Sequence, residues 1–316
     1  MSKGVAFVGW QSALRLAGAF AVLASTAGCR GEGGGGVEPR EGAGAGAGAW
    51  TVVDLHPAGA TRSQALSVSG GQQVGWAVVA GTRRASLWRG TADSWVDLHP
   101  AGADDSDAHA VAGGQQAGVA VVAGTRRAAL WRGTADSWVD LHPVGASDSF
   151  AYGVADGQQV GDAVVADLPR ASLWRGTADS WVDLHPAGAD VSNARAVAGG
   201  QQVGVAEVEG TSRAALWRGT ADSWVDLHPA GASDSSAGGV ADGQQVGRAR
   251  VAGTDRASLW RGTADSWVDL HALLPDEFAR SAARGIWTGN GRTYVVGRGH
   301  TRDGQVRALL WIGPAP

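Results

Sequence analysis

Trp88-Arg89-Gly90-Thr91-Ala92-Asp93-Ser94-Trp95-Val96-Asp97-Leu98-His99 occurs five times without change, starting again at Trp131, Trp174, Trp217 and Trp260. Its last step, Asp-Leu-His, also occurs once earlier. Six histidines therefore stand 43 residues apart: His56, His99, His142, His185, His228 and His271. A fixed period of this length marks a repeat architecture, in which each unit buries its apolar face against the next.

Outward from that string, each unit divides into four short apolar runs separated by turn residues. In residues 61–99 the first run is Ser63–Val68, followed by Gly70-Gly71. Gln73–Val79 is the second and ends at Gly81; Arg84–Trp88 is the third and ends at Arg89-Gly90-Thr91. Trp95–His99 is the fourth and ends at Pro100. No run sustains a helical period, and each has the length and bounding residues of a strand. Four strands in roughly 40–45 residues fit one blade of a β-propeller. A β-solenoid is the rival, but its coils are shorter and need fewer turns.

Side-chain size orders the strands. Space between blades widens away from the axis, so small residues belong on inner strands and large ones outside. Ala65, Gly75 and Ala77 stand in the first two strands, whereas Leu87, Trp88 and Trp95 stand in the last two. The chain is expected to run from axis to rim. Trp50–His56 reads as a fourth strand with no first three, and the diverged last unit, through Ile286-Trp287, Tyr294–Gly297 and Ala308–Trp311, supplies only three. Together they predict a six-bladed propeller over residues 49–316, its ring closed by the N-terminal strand.

Residues 1–29 read as an export signal. Lys3 and Arg15 precede an uncharged stretch from Leu16 to Gly28, too short for a stable membrane span. The only cysteine, Cys29, follows Thr26-Ala27-Gly28. This resembles a bacterial lipobox, with Thr26 where an aliphatic residue is usual. The expected state is a lipoprotein held to the outer membrane or cell surface through lipid on Cys29; plain secretion is the alternative. Residues 30–48, with Gly33–Gly36 and a Gly-Ala run, form a tether in this reading.

Composition narrows the partners. Net charge is −4 and no basic stretch stands out, which disfavours nucleic acid. One cysteine permits no intrachain disulfide. No motif calls for a cofactor or a metal, and a monomer is expected. Asp104-Asp105-Ser106-Asp107 has the oxygens of a calcium loop but neither its glycine turn nor its terminal glutamate, so it reads as a solvated turn.

Ala85-Ser86-Leu87-Trp88, Val96-Asp97-Leu98, Ser106-Asp107-Ala108 and Gly157-Gln158-Gln159-Val160-Gly161 together resemble the HAF-type repeats of exported bacterial proteins. The resemblance covers residues 50–316, with Arg84-Ala85-Ser86 where that family often has His-Ala-Phe. It implies a propeller-like extracellular protein and no particular activity.

Asp97, His99 and the neighbouring Ser94 have the residue types of a nucleophile system. Six copies on six blades cannot converge on one substrate, so they read as structural. The informative positions are those where the copies differ. Between the fixed serines and alanines of the first strands stand Gln64, Asp107, Phe150, Asn193 and Ser236, and just after the alanines Leu66, His109, Tyr152, Arg195 and Gly238. In the second strands Trp76, Val119, Asp162, Val205 and Arg248 vary in the same way. Free drift of exposed positions explains such variation. So does a binding surface for a glycan or peptide, with Gln64, Leu66, Asp107, His109, Phe150, Tyr152, Asn193, Arg195 and Ser236 as its residues. A glycan-cleaving enzyme is the alternative and would need paired carboxylates, for which Asp107 and Asp162 are the candidates. A young repeat expansion with little selected function is a further reading.

Overall fold

The structure, a computed structural model, describes residues 52–316. Six antiparallel sheets succeed one another along the chain, five of four strands and one of three. Blade 1 comprises Ala60–Ser69, Gln72–Val79, Thr82–Trp88 and Val96–Asp97; blades 2 to 5 repeat this order. Blade 6 comprises Phe278–Gly289, Arg292–Thr301 and Val306–Pro314. The all-β blade architecture agrees with the sequence reading. Hairpins between first and second strands turn on Gly70-Gly71 and its counterparts, with φ of 56° and 75°, the left-handed pair of a tight two-residue turn.

The fourth strands are shorter than the sequence suggests. Only Val96–Asp97 pairs, because Ala92–Ser94 forms a 3-10 turn that delivers Trp95 to the sheet edge. There the indole N–H of Trp95 donates to Ser86 Oγ at 2.9 Å. Val52–His56 contains no strand, and Trp50 and Thr51 lie outside the described residues, as do the signal, Cys29 and the tether.

Each junction between blades is a dry layer. Between blades 1 and 2, Val74, Leu87 and Leu98 meet Ala108, Val111, Ala129 and Trp131. Equivalent sets fill the next four junctions. The alanines let blades approach, and the tryptophans fill the wider outer part of the gap. This matches the expected gradient of size from axis to rim.

The repeated Asp-Leu-His forms a hydrogen-bonded latch across each junction. Ala85 N–H of blade 1 donates to Ser106 Oγ of blade 2 at 2.8 Å, and that hydroxyl meets His99 Nδ1 at 2.8 Å. His99 Nε2 meets Ala103 O at 3.0 Å, while Asp97 Oδ1 accepts from the His99 backbone N–H at 2.8 Å. Nε2 faces the Ala103 carbonyl and so carries a proton, and in that tautomer Nδ1 accepts from the serine hydroxyl. The same serine–histidine pair recurs at His142, His185, His228 and His271. Burial holds His185 and His271 below the ordinary histidine range, in keeping with neutral rings. Structural use of these groups accounts for their six-fold repetition.

The two ends of the row of blades differ from the interior. Val296 and Leu310 of blade 6 take the places that Val74 and Leu87 take in blade 1, yet they are 42% and 56% exposed where the latter are 0%. Val68 of blade 1 is 40% exposed, against 1% for Val111. His56 still reaches Ser63 Oγ at 2.9 Å. No backbone N–H from blade 6 joins them among the described residues.

Ser149→Ala should leave the Ala128 N–H and His142 Nδ1 without partners inside a junction. Urea unfolding is expected to show a loss of about 1–3 kcal/mol. A loss no larger than that of Ser147→Ala at an exposed site would count against the latch.

Candidate functional site

The varying residues are brought to one inner edge of the row of blades by a defect repeated in every first strand. Ala65 pairs with Gly75 and Ser67 with Val74, so Leu66 is an extra, unpaired residue: a β-bulge. His109, Tyr152, Arg195, Gly238 and Arg284 occupy the same bulge in the other blades. A bulge re-aims its side chain, and here it breaks the strict alternation expected from the sequence. Glycine on the second strand makes the bulge possible. A Cβ at Gly161 would lie 1.8 Å from Phe150 O, and Gly75, Gly118, Gly204, Gly247 and Gly297 are equally crowded by their first strands.

Successive first strands lie side by side, so bulge residues of neighbouring blades meet. The rings of His109 and Tyr152 stack with centroids 5.9 Å apart, as do those of Phe150 and Tyr152. His109 Nδ1 reaches Ala151 O at 3.1 Å. Burial holds the His109 ring below the ordinary histidine range, so it is neutral near pH 7. Tyr152 also faces Asp162 and Arg195, whose charges act on its phenol. Arg195 Nε donates to Asn193 Oδ1 at 3.0 Å. Thus His109, Phe150, Tyr152, Asn193 and Arg195 form one continuous surface, half-buried throughout.

A second group lies at the start of the row. Arg83 packs over the Trp76 ring at 4.3 Å from its centre, and its Nε pairs with Asp107 Oδ1 at 2.6 Å. Asp107 thus belongs with Arg83 of blade 1, apart from the aromatic stack. Gln64, Leu66 and Ser236 take no part in either group. Burial raises both Asp107 and Asp162 to about 7; Arg83 opposes the shift in the first, the Tyr152 hydroxyl in the second. The two carboxyls are each engaged by a different neighbour, and nothing pairs them as an acid and base.

Charge is spread unevenly along this inner edge. Asp105, Asp107 and Asp162 lie on blades 2 and 3, whereas Arg195, Arg248, Arg284 and Arg298 lie on blades 4 to 6. Burial, with Arg284 and Arg248 nearby, lowers Arg195 to about 10, still cationic at neutral pH. The sequence reading missed Arg284 and Arg298. A longer connection after His271 displaces blade 6 from the 43-residue period, and only alignment on Ala283 and Gly297 would have put them in register. Among the described residues no group of three or more His, Cys, Asp or Glu side chains could hold a metal.

This is an all-β blade protein with a varied, half-buried inner surface. No protein-family model matches the chain, and no curated protein sequence does either. Among solved structures it is similar to puromycin hydrolase, at 13% identity and a TM-score of 0.55 over 79% of this chain. The chain spans 43% of that protein's length. A puromycin hydrolase S511A mutant in complex with PGG gives 0.53 at the same identity and coverage. TolB from Acinetobacter baumannii gives 0.45 at 11% identity, over 78% of this chain and 64% of that one. These neighbours are β-propeller proteins, and at such identity the likeness shows the fold alone.

Because burial raises Asp162 from 3.8 to about 7, the folded protein favours its protonated form. The stability this group contributes is full below the ordinary carboxylate range and is lost as pH rises through about 7. The melting temperature is therefore expected to fall between pH 5 and 8.5. Asp162→Asn should flatten that decline by several degrees, at roughly 2–4 °C per kcal/mol. Parallel curves for both proteins would rule out a protonated Asp162.

Proposed function

We propose that the protein is a non-catalytic binding module of a bacterial envelope, whose lumen takes a glycan or a peptide. The observation carrying this reading is the stack of His109, Tyr152 and Phe150 beside Asp162, Arg195 and Asn193. Stacked aromatic faces bind the apolar faces of sugars or side chains, and the polar groups alongside fix orientation. The fixed junctions and varied lumen fit a scaffold that carries a recognition surface. Lipid on Cys29 would hold a monomer to the outer membrane or cell surface, with residues 30–48 as the tether. The rival reading is hydrolysis of a glycan by Asp107 and Asp162. Their separate engagement by Arg83 and Tyr152 favours holding a ligand over cleaving one.

The ring of this module is completed, in the same proposal, by residues 50–56 as the fourth strand of blade 6. Val296 and Leu310 would then meet blade 1 as Val74 and Leu87 meet blade 2. The Ala308 N–H would reach Ser63 Oγ. Leu310→Asp is expected to cost at least ~3 kcal/mol by placing a charge in a dry junction. A change within ~0.5 kcal/mol would mean an open end.

A glycan and peptidoglycan array probed with the purified protein tests the binding reading. Phe150→Ala with Tyr152→Ala should weaken any hit at least tenfold, since stacked aromatic contacts of this kind contribute about 0.5–1.5 kcal/mol each beyond the area they bury. A hit that is cleaved during incubation would favour the enzyme. Binding untouched by the double variant would exclude the aromatic stack as the site.

A further inference from the structure

A cavity of about 150 Å³ lies between blades 5 and 6, lined by Arg248, Asp255, Arg280, Arg284, Arg298 and His300. It far exceeds the ~10–15 Å³ that one water needs. Four guanidiniums face it from three strands: Gln244–Val251, Phe278–Gly289 and Arg292–Thr301.

One repeated arginine of blades 1 to 5 is paired in every copy. Arg84, Arg127, Arg170, Arg213 and Arg256 each pair with the aspartate of their own fourth strand, at 2.6–2.9 Å. In the cavity four guanidiniums are gathered with fewer carboxylates. Arg248 Nη1 takes Asp234 at 2.5 Å and Asp255 at 3.1 Å. Arg280 meets only His300 Nδ1, at 3.3 Å. Arg284 and Arg298 have no ion-pair or side-chain hydrogen-bond partner among the described residues. Four guanidiniums thus stand against two carboxylates, leaving an excess of two positive charges.

That excess acts on the groups themselves. Arg284 is lowered by burial and then by Arg298 and Arg248, and His300 is lowered by burial and then by Arg280 and Arg298. A neutral His300 accepts from Arg280 and adds no charge. Like charges gathered without counter-charge destabilise a fold, and an anion seated among them would offset that cost. Each guanidinium offers five N–H donors in a rigid fork, far more than Asp234 and Asp255 accept.

We infer that this cavity is a binding site for a doubly charged tetrahedral oxyanion, a phosphate monoester group or free sulfate, held by Arg284 and Arg298 with Arg248 and Arg280 closing round it. Two negative charges match the excess. Four oxygens arranged tetrahedrally accept from donors arriving from several directions, whereas a planar carboxylate presents its lone pairs in one plane. Arg284 is the bulge residue of its blade and Arg298 its second-strand neighbour, so the cavity is the cationic end of the same lumen. The inference deepens the lumenal binding reading by giving the ligand an anionic group. Its test reads the anion alone, so it can succeed where a neutral-glycan screen fails.

The test is calorimetric titration of the purified full chain with inorganic phosphate, sulfate, succinate and sodium chloride at matched ionic strength. Saturable binding of phosphate or sulfate is expected, at least tenfold tighter than succinate and absent with chloride. Phosphate against sulfate separates the two sources of the group. Arg284→Ala with Arg298→Ala should weaken it by a further factor of roughly ten or more. Arg126→Ala, at an exposed site on blade 2, should leave it unchanged. Should the double alanine variant lose its cooperative melt, Arg284→Lys with Arg298→Lys keeps the charge but not the fork. It is then expected to bind at least threefold more weakly. The inference is overturned by no saturable phosphate or sulfate binding, by equal effects of chloride, or by arginine variants that bind like the wild type.

Discussion

The close approach of a second-strand glycine to a first-strand carbonyl is the constraint on which the lumen rests. With a Cβ at Gly118, the Asp107 carbonyl would be 1.9 Å away, so only glycine permits the bulge beside it. The bulge adds one residue to the first strand and turns it inward. His109, Tyr152, Arg195 and Arg284 are themselves bulge residues, and Phe150 and Asn193 stand two positions before theirs. Alanines on the other face stay available to the junction. One small residue per blade thus separates the part of the sheet that packs from the part that presents.

The junctions and the lumen obey opposite rules. In the junctions the copies are alike because five interfaces impose one geometry: Leu87, Leu98 and Trp131, with the serine–histidine latch, satisfy it at the first and recur at the rest. The Asp-Leu-His step would look chemical in a single copy. Its side-chain polar atoms are all engaged: Asp97 Oδ1 accepts from the His99 N–H and Oδ2 from Arg84, and the two His99 ring nitrogens meet Ser106 and Ala103. In the lumen no such geometry is imposed, and the residues range from carboxylate through aromatic to guanidinium. Their distribution is uneven: the stacked rings with Asp107 and Asp162 lie on blades 2 and 3, whereas Arg195, Arg284 and Arg298, which no carboxylate pairs among the described residues, lie on blades 4 and 6.

Much of this was legible in the chain. The period, the four strands of each unit, the inward small and outward large residues, and the positions that vary all follow from one string and its copies. Grouping was not legible. Phe150, Tyr152 and His109 belong together while Asp107 belongs with Arg83, because adjacency across a junction depends on strand order and register. The fourth strand came out shorter than its apolar pattern suggested, since the Thr91–Ser94 turn takes up the approach to Trp95. Blade 6 hid its arginines because an insertion moved it off the period.

By itself the sequence determined what repetition can encode: a unit of four strands, a face that must be buried against the next copy, and a set of positions released from that duty. Those are local properties of size and polarity, and they survive in any register. The tertiary structure alone decided which released positions meet. A bulge shifts alternation by one residue, and packing sets residues far apart in the chain side by side, His109 and Tyr152 at 43 residues and Arg248 and Arg284 at 36. It is that placement which stacks Tyr152 on His109 and gathers Arg248, Arg284 and Arg298 round one cavity, where desolvation and mutual repulsion make each charge count.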